Sequence, residues 1–89
     1  MIVFTRSAER DMDKLDRPVK GRLGAALAAI EPDTRRSPNV RKMQGAPDRY
    51  RLRVGDYRIV YDLVRRDLVV LLVSHRSDVY KRARRRGDL

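Results

Sequence analysis

The segment from Tyr50 to Tyr61 constrains the fold most strongly, because apolar and charged side chains alternate on both sides of a two-residue turn. The segment reads Tyr-Arg-Leu-Arg-Val, then Gly-Asp, then Tyr-Arg-Ile-Val-Tyr, and such alternation is typical of β-strands. Gly55 occupies the first turn position, where a type II′ hairpin requires a positive φ. The sequence therefore predicts a hairpin in which Val54 pairs with Tyr57 and Tyr50 pairs with Tyr61.

The predicted register separates the side chains of this hairpin into two faces of opposite character. The first face carries no charge and consists of Tyr50, Leu52, Val54, Tyr57, Ile59 and Tyr61. The second carries Arg51, Arg53 and Arg58, with Arg53 directly opposite Arg58. Like charges that face each other across two strands cost up to about 1 kcal/mol. The second face is therefore either a solvated surface on which Asp62 pairs with an arginine, or a preorganised cluster that binds phosphate.

Two amphipathic helices are predicted before the hairpin, within residues 7–30. Ser7 is a candidate cap for the first helix, whose apolar face consists of Ala8, Met12 and Leu15. Asp16 is a candidate cap for the second, with Pro18 in the first turn, where a missing N–H group costs nothing. The apolar stripe of this second helix consists of Val19, Leu23, Ala26, Leu27 and Ile30.

Three further segments complete the predicted fold. Ile2–Thr5 is a short strand, and the continuous apolar run Leu68–Val73 is typical of a central strand covered on both faces. Ser77 or Asp78 could begin a basic terminal helix. The order β-α-α-β-β-β-α predicts a single domain over residues 1–89, of the α+β class, with the two N-terminal helices packed on a small antiparallel sheet.

Composition narrows the possible functions. The absence of cysteine excludes disulfide bonds and thiolate metal sites, and a single histidine argues against a histidine-built metal site. No apolar run approaches the roughly 20 residues that span a membrane. The first residues lack the pattern of a signal peptide. We therefore expect a cytoplasmic protein without a metal site built from cysteine or histidine.

The positive charge is concentrated in the second half of the chain. Residues 1–48 hold ten basic and seven acidic side chains, whereas residues 49–89 hold twelve and five. Eleven of those twelve are arginine, whose planar guanidinium binds two phosphate oxygens at once. This uneven distribution favours a surface that binds nucleic acid as the explanation of the charge. The alternative is a protein that is basic only because its proteome is rich in arginine. The tail Arg82–Arg86 is either a solvated end or a contact with RNA.

His75 and Tyr80 follow the last predicted strand, and the sequence leaves the orientation of both open. A hairpin loop centred on Arg66-Asp67 would place His75 opposite Arg58, beside the arginines, whereas an odd loop would turn it towards the core. Tyr80 could pack against the protein or stack on an RNA base.

Three stretches of the chain together resemble the RelE branch of the RelE/ParE toxin superfamily. They are Lys42–Gly45 (Lys-Met-Gln-Gly), the hairpin Tyr50–Tyr61, and His75–Tyr80 (His-Arg-Ser-Asp-Val-Tyr). The resemblance extends over almost the whole chain and includes the two leading helices. Their spacing is specific, since this combination is rarely met elsewhere.

The resemblance implies a metal-independent endoribonuclease without a cofactor, which enters the A site of the 70S ribosome and cleaves mRNA there. The 2′-hydroxyl of one nucleotide would attack its own 3′-phosphate and leave a 2′,3′-cyclic phosphate. The resemblance also implies a cognate acidic antitoxin, RelB-like or similar, that forms a hetero-oligomer with the toxin and neutralises its basic face. No membrane partner is implied.

The resemblance further implies roles for the three hairpin arginines. Arg51 and Arg53 correspond to basic residues that hold and activate the phosphate, and Arg58 to the arginine that stabilises the transition state. Many members of the family have lysine where this chain has Arg51 and Arg53. Arginine stays protonated, so these two residues hold charge but do not transfer protons.

The resemblance assigns the remaining catalytic roles to the segment after the last strand. Arg76, with its neighbour His75, corresponds to a further basic group near the leaving oxygen, and Tyr80 to an aromatic residue that stacks on the substrate and assists proton removal. Because imidazole is the side chain that titrates near neutral pH, we expect His75 to be the general acid. Five more basic residues are candidate RNA contacts: Lys42, Arg49, Arg82, Arg84 and Arg85.

Two other functions remain compatible with the sequence. A ParE-like toxin on the same fold would inhibit DNA gyrase through protein contacts, without nuclease activity. A non-catalytic RNA-binding module would keep the charge, but it would not need Arg58, His75 and Tyr80 to converge.

Overall fold

In the described part of the chain, two helices and five strands follow one another in the order β1, α1, α2, β2, β3, β4, β5. The computed structural model describes residues 1–34, 37–78, 81, 82 and 84 of the 89. The elements are β1 Ile2–Phe4, α1 Arg6–Asp13, α2 Arg17–Ile30, β2 Val40–Lys42, β3 Arg49–Val54, β4 Tyr57–Val64 and β5 Asp67–His75. This order confirms the predicted α+β class and adds one strand, β2, that was not predicted.

The five strands form one sheet in the order β1-β5-β4-β3-β2. β1 runs parallel to β5, with Ile2 beside Leu68, whereas the other neighbours are antiparallel. The predicted antiparallel pairing is confirmed for β3 to β5, whereas the parallel direction of β1, which was not predicted, makes the sheet mixed. β1 and β5 are joined by the whole intervening chain and not by a tight turn, so no local feature dictates an antiparallel pairing.

The two helices start at different kinds of N-cap residue, and only the first makes a side-chain capping hydrogen bond. Thr5, and not the predicted Ser7, caps α1, because its hydroxyl accepts a hydrogen bond from the Ala8 N–H at 3.1 Å. Asp16 is the N-cap residue of α2, as predicted, and Pro18 lies in the first turn of that helix. After β5, the Arg82 N–H donates to the Asp78 carbonyl at 2.9 Å, which is one turn of the predicted terminal helix.

The main core lies between the two helices and one face of the sheet. The sheet contributes Leu52, Ile59, Tyr61, Leu68, Val70 and Val73, and the helices contribute Ala8, Leu23, Leu27 and Ile30, all of them buried. These residues include the centre of the charge-free hairpin face and most of the predicted helical stripe. A smaller cluster, Met43, Val60 and Leu72, is buried on the opposite face of the sheet. β5 is thus covered on both faces, as its sequence predicts.

An irregularity in β5 sets the register at the end of that strand. The pairing with β4 shifts between Val60 and Tyr61, so that Leu71 is an extra residue in β5. The loop between these strands is Arg65-Arg66, and Arg65 has a φ of 57°. Among the described residues, no helix is both long and apolar enough to cross a bilayer.

Candidate functional site

The hairpin β3–β4 has the predicted register and places four arginines on one face: Arg49, Arg51, Arg53 and Arg58. Arg53 pairs with Arg58 and Arg51 pairs with Val60, while Gly55 has a φ of 58° in the turn. The alternation explains the arrangement, since burial of the aromatic face against the helices forces every arginine to the other side. We call Arg51, Arg53, Arg58 and the nearby Arg76 the arginine cluster.

Two carboxylates near the arginine cluster already pair with arginines, one of them outside the cluster and the other within it. Asp62 accepts two hydrogen bonds from Arg49, at 2.7 and 3.0 Å, across the two strands. Asp56, in the turn, lies 3.8 Å from the Nε of Arg76, and both of these side chains are exposed. The Arg–Asp pair that the sequence analysis considered for this face is thus present, with Arg49 as a partner of Asp62.

Arg58 lies at the centre of the arginine cluster and is held by main-chain groups. Its Nη1 donates to the carbonyls of Gly55 and Tyr57, both at 2.9 Å. The pKa of Arg58 lies below its ordinary value, first because of burial and then because of the charges of Arg51, Arg53 and Arg76, while Asp56 opposes the shift. The guanidinium nevertheless stays charged at neutral pH, because the ordinary pKa of an arginine side chain lies far above neutral. An anion at this position would relieve the repulsion among the arginines.

Arg76 is attached to the tip of the hairpin by its backbone. The Arg76 N–H donates to the Asp56 carbonyl at 2.7 Å, so the chain that leaves β5 passes directly beside the turn. This contact explains how a residue beyond the last strand joins Arg51, Arg53 and Arg58.

Arg41 extends the basic face by one strand, and the sequence analysis missed it. In β2 it pairs with Arg51, which pairs in turn with Val60 of β4, so its side chain belongs to the same face of the sheet. The only sequence signal is the short segment Val40–Lys42, whose three residues are too few to show a period of two.

The sequence left two orientations of His75 open, and in the structure His75 does not lie opposite Arg58. It pairs with Tyr57, and Ser74 pairs with Arg58, so His75 belongs to the face of the sheet that the helices cover. The exposed imidazole contacts the Tyr57 ring edge-on, with 5.9 Å between the ring centroids. Its Nδ1 accepts a hydrogen bond from the Ser77 N–H at 3.3 Å. The extra residue Leu71 shifts the later residues of β5 to the opposite face of the sheet, and no sequence pattern indicates that Leu71 is an extra residue.

The predicted RNA contacts have different environments. Lys42 donates to the carbonyls of Met43 and Ala46, and Arg49 binds Asp62 as described above. The Arg82 guanidinium contacts the carboxylate of Asp11. Arg84 is exposed. Two predicted residues, Tyr80 and Arg85, lie outside the described part of the chain.

The arrangement supplies fixed positive charge and few groups that exchange protons. Guanidinium groups on two hydrogen-bonded strands are preorganised for a phosphate that gains negative charge. No group of three or more potential metal ligands is found among the described residues. Tyr50 and Tyr61 of the hairpin pack on the core side of the sheet, where their rings stack with 5.7 Å between the centroids. Burial raises the pKa of the Tyr61 phenol.

Comparison with known proteins identifies the family. Residues 2–80 match the sequence model of the ParE toxin of type II toxin–antitoxin systems, parDE. A search of curated protein sequences gives no significant match.

Several solved structures share the fold. The isolated E. coli RelE toxin is 28% identical, with coverage of 97% of this chain and 96% of that chain and a TM-score of 0.73. The toxin in the intact E. coli RelBE toxin–antitoxin complex is 25% identical over 84% and 94%, with a TM-score of 0.73. The RelB–RelE complex from Methanococcus jannaschii, at 20% identity over 90% and 96%, shares the fold with a TM-score of 0.74. The chain therefore belongs to the ParE toxin family within the RelE/ParE superfamily of type II toxins, and its structural neighbours place it in the RelE-like branch.

Proposed function

We propose that this toxin is a ribosome-dependent, metal-independent endoribonuclease that cleaves mRNA in the A site. The observation that carries the proposal is the position of Arg58, which is partly desolvated and lies within the field of Arg51, Arg53 and Arg76. The arginines of the cluster repel one another in the free protein, and a dianionic phosphorane among them would offset that repulsion. The cluster therefore stabilises the transition state more than the substrate.

The proposed reaction is an in-line transfer within one nucleotide. The 2′-oxygen attacks the adjacent phosphorus, the bond from phosphorus to the 5′-oxygen of the next nucleotide breaks, and a 2′,3′-cyclic phosphate and a 5′-hydroxyl result. The 2′-hydroxyl loses a proton and the leaving 5′-oxygen gains one. Arg51, Arg53 and Arg58 hold the phosphate oxygens, and Arg76 stabilises charge near the leaving oxygen.

The arginines do not perform the proton transfers, because a guanidinium does not release its proton at physiological pH. We assign proton delivery to His75, which is exposed and adjacent in sequence to Arg76. In this proposal Tyr80 stacks on the substrate and assists proton removal from the 2′-hydroxyl, and the exposed Arg84, with Arg85, contacts RNA.

A cognate acidic antitoxin is the proposed partner that controls this activity. The chain has a net charge of +10, with its charge excess in the half that carries the arginine cluster. Acidic side chains on a partner would neutralise that surface and exclude RNA from it. The RelBE complexes among the structural neighbours support an antitoxin partner of this kind.

A second candidate is inhibition of DNA gyrase, because the matching family is described by the ParE toxin. The arginine cluster argues against it, since inhibition by protein contact does not require four mutually repelling arginines beside one another. Function resides in the site and not in the fold, so an assay must separate the two candidates.

The deciding assay adds the purified protein to ribosomes that translate a defined mRNA and maps new 5′ ends. We expect cuts in phase with the codons, 5′-hydroxyl ends, and loss of both with Arg58→Ala. Intact mRNA together with trapped gyrase–DNA complexes would establish the second candidate. Ribosome binding without cuts would identify a non-catalytic RNA-binding module.

A further inference from the structure

A buried carboxylate lies outside the proposed site, on the other side of β5. The side chain of Asp11, in α1, is only 2% exposed. Its Oδ2 accepts a hydrogen bond from the Val73 N–H at 3.0 Å, and its Oδ1 contacts the Arg82 guanidinium. A charge this deeply buried is tolerated only when it is paired and hydrogen-bonded, so the arrangement is a specific one.

The position of this ion pair follows from the length of β1. That strand ends opposite Val70, and the edge of β5 beyond Val70 has no neighbouring strand there. Asp11 takes the Val73 N–H group, and Arg82 donates to the Val73 carbonyl at 3.2 Å. The two side chains therefore satisfy main-chain groups that a longer β1 would otherwise have paired.

The same guanidinium reaches the strand position next to the arginine cluster. Arg82 donates to the Ser74 hydroxyl at 3.0 Å, and Ser74 is the partner of Arg58 in the β4–β5 register. The chain after β5 is therefore attached at two points, by the Arg76 N–H to the hairpin turn and by Arg82 to the edge of β5.

We propose that Asp11 and Arg82 are positioning residues, which hold the segment after Arg76 in place beside the arginine cluster. This inference rests on the proposed function and changes one part of it: Arg82 acts through Asp11 and Ser74 and not as an RNA contact. Arg82 therefore affects the rate of the bound complex and leaves its affinity for RNA nearly unchanged. A residue that touched RNA would do the reverse.

The test compares Arg82→Ala with Lys81→Ala, which removes one positive charge from an exposed neighbour in the same turn. Three quantities are measured in the full-length protein: amide exchange of residues 77–84, the single-turnover cleavage rate at saturating ribosomes, and the salt dependence of ribosome binding. For Arg82→Ala we expect faster exchange and a rate lower by about tenfold to a hundredfold, with a binding slope like that of Lys81→Ala. Lys81→Ala keeps the wild-type rate and exchange.

Two further variants keep the inference testable if loss of the pair harms folding. Arg82→Lys retains the charge and should recover part of the rate. Asp11→Asn keeps the size of the side chain and should slow cleavage. The double variant with Arg82→Ala should be no slower than Arg82→Ala alone, because the two residues act as one unit.

Two results would overturn the inference. The first is an exchange pattern for Arg82→Ala that equals that of Lys81→Ala. The second is a binding slope that falls while the rate of the bound complex stays unchanged, since this would make Arg82 an RNA contact. If the wild-type protein cleaves nothing, the proposed function fails, and amide exchange alone still decides whether Asp11 and Arg82 anchor the segment.

Discussion

At the scale of single residues, the central feature is an arginine whose surroundings oppose its charge. Burial and the neighbouring arginines lower the pKa of Arg58, and Asp56 opposes that shift. The side chain tolerates this environment because the ordinary pKa of arginine lies far above neutral pH. The site thus gains a destabilised positive charge that a phosphate can stabilise, without loss of the charge itself.

The first prediction concerns Arg58→Lys. A lysine has an ordinary pKa of about 10.4, so the same burial and repulsion bring its pKa much closer to neutral. A cation with a lowered pKa is charged below that pKa and loses its charge as the pH rises through it. We therefore expect the ratio of the variant rate to the wild-type rate to fall between pH 7 and pH 9 in single-turnover cleavage. A ratio that is constant over this range would contradict the assigned environment.

The second prediction concerns His75 as the general acid. A general acid donates its proton in the transition state, so its removal slows the step that it assists. His75→Gln should therefore lower the single-turnover rate by about 10²- to 10⁴-fold between pH 6 and 8. Unchanged cleavage by the variant over that range would exclude His75, in agreement with its pairing to Tyr57 and not to Arg58.

At the scale of secondary-structure elements, the two hairpins differ in the quality of their turns. The turn of β3–β4 has Gly55 at a φ of 58°, whereas the turn of β4–β5 has Arg65 at 57°. A side chain in the left-handed region costs roughly 1 kcal/mol because its Cβ atom approaches the backbone. The second hairpin therefore forms in spite of its turn, and the long β4–β5 pairing supplies the compensation.

The third prediction follows from that strain. Arg65→Gly should raise the free energy of unfolding by a few tenths to about 1 kcal/mol, since relief of strain exceeds the added flexibility of the unfolded chain. Arg66→Gly is the matched control and should lower stability by about 0.5–1 kcal/mol, because no strain is relieved there. Urea denaturation measures both. Equal effects of the two substitutions would show that the turn at Arg65 is not strained.

Elements with local determinants were predictable from the sequence, and elements with non-local determinants were not. The register of β3–β4 follows from a two-residue turn and a period of two, and the predicted pairs are those observed. The parallel direction of β1 and the existence of β2 depend on distant partners, since each strand has three residues. The place of His75 depends on the extra residue Leu71, which no local pattern announces.

The candidate site was predictable to the same extent. The hairpin arginines Arg51, Arg53 and Arg58 share a face because the alternation requires it, and the sequence analysis found them. The partners of Arg49 and Arg82 were missed, because Asp62 and Asp11 become their neighbours only through packing. Arg41 was missed together with β2. The local sequence pattern thus identified the hairpin arginines. Only the tertiary structure shows which basic residues, such as Arg49 and Arg82, bind carboxylates of the protein itself.

At the scale of the whole molecule, the fold separates apolar from basic character across one sheet. The helices cover the aromatic face, and the opposite face carries Arg41 and the arginine cluster around a small apolar patch. A net charge of +10 on a chain of 89 residues favours association with any polyanion. In the proposed function, the basic residues of this face make specific RNA contacts together with Arg84 and Arg85, whereas basic residues elsewhere do not.

The fourth prediction tests that separation through the salt dependence of RNA binding. Each lost phosphate contact reduces the slope of log Kd against log salt concentration by about 0.7–0.9. Replacement of Arg51, Arg53 and Arg58 by alanine should therefore reduce the slope by about 2–3. Replacement of Arg6, Arg10 and Lys14 by alanine removes the same charge from exposed positions at α1 and should leave the slope nearly unchanged. Similar slopes for the two triple variants would show that net charge, and not the face of the sheet, governs binding.

The measurement that tests the central claim most directly is the single-turnover cleavage rate of ribosome-bound mRNA by Arg58→Ala and Arg66→Ala. The two variants lose the same charge from the same two-hairpin unit, but Arg66 lies in the exposed β4–β5 turn, at the opposite end of β4 from the arginine cluster. We predict a loss of at least about 10²-fold for Arg58→Ala, as for removal of one preorganised transition-state donor, and a rate within about twofold of wild type for Arg66→Ala. Equal rates for the two variants would contradict the claim that the position of Arg58 within the arginine cluster carries the activity.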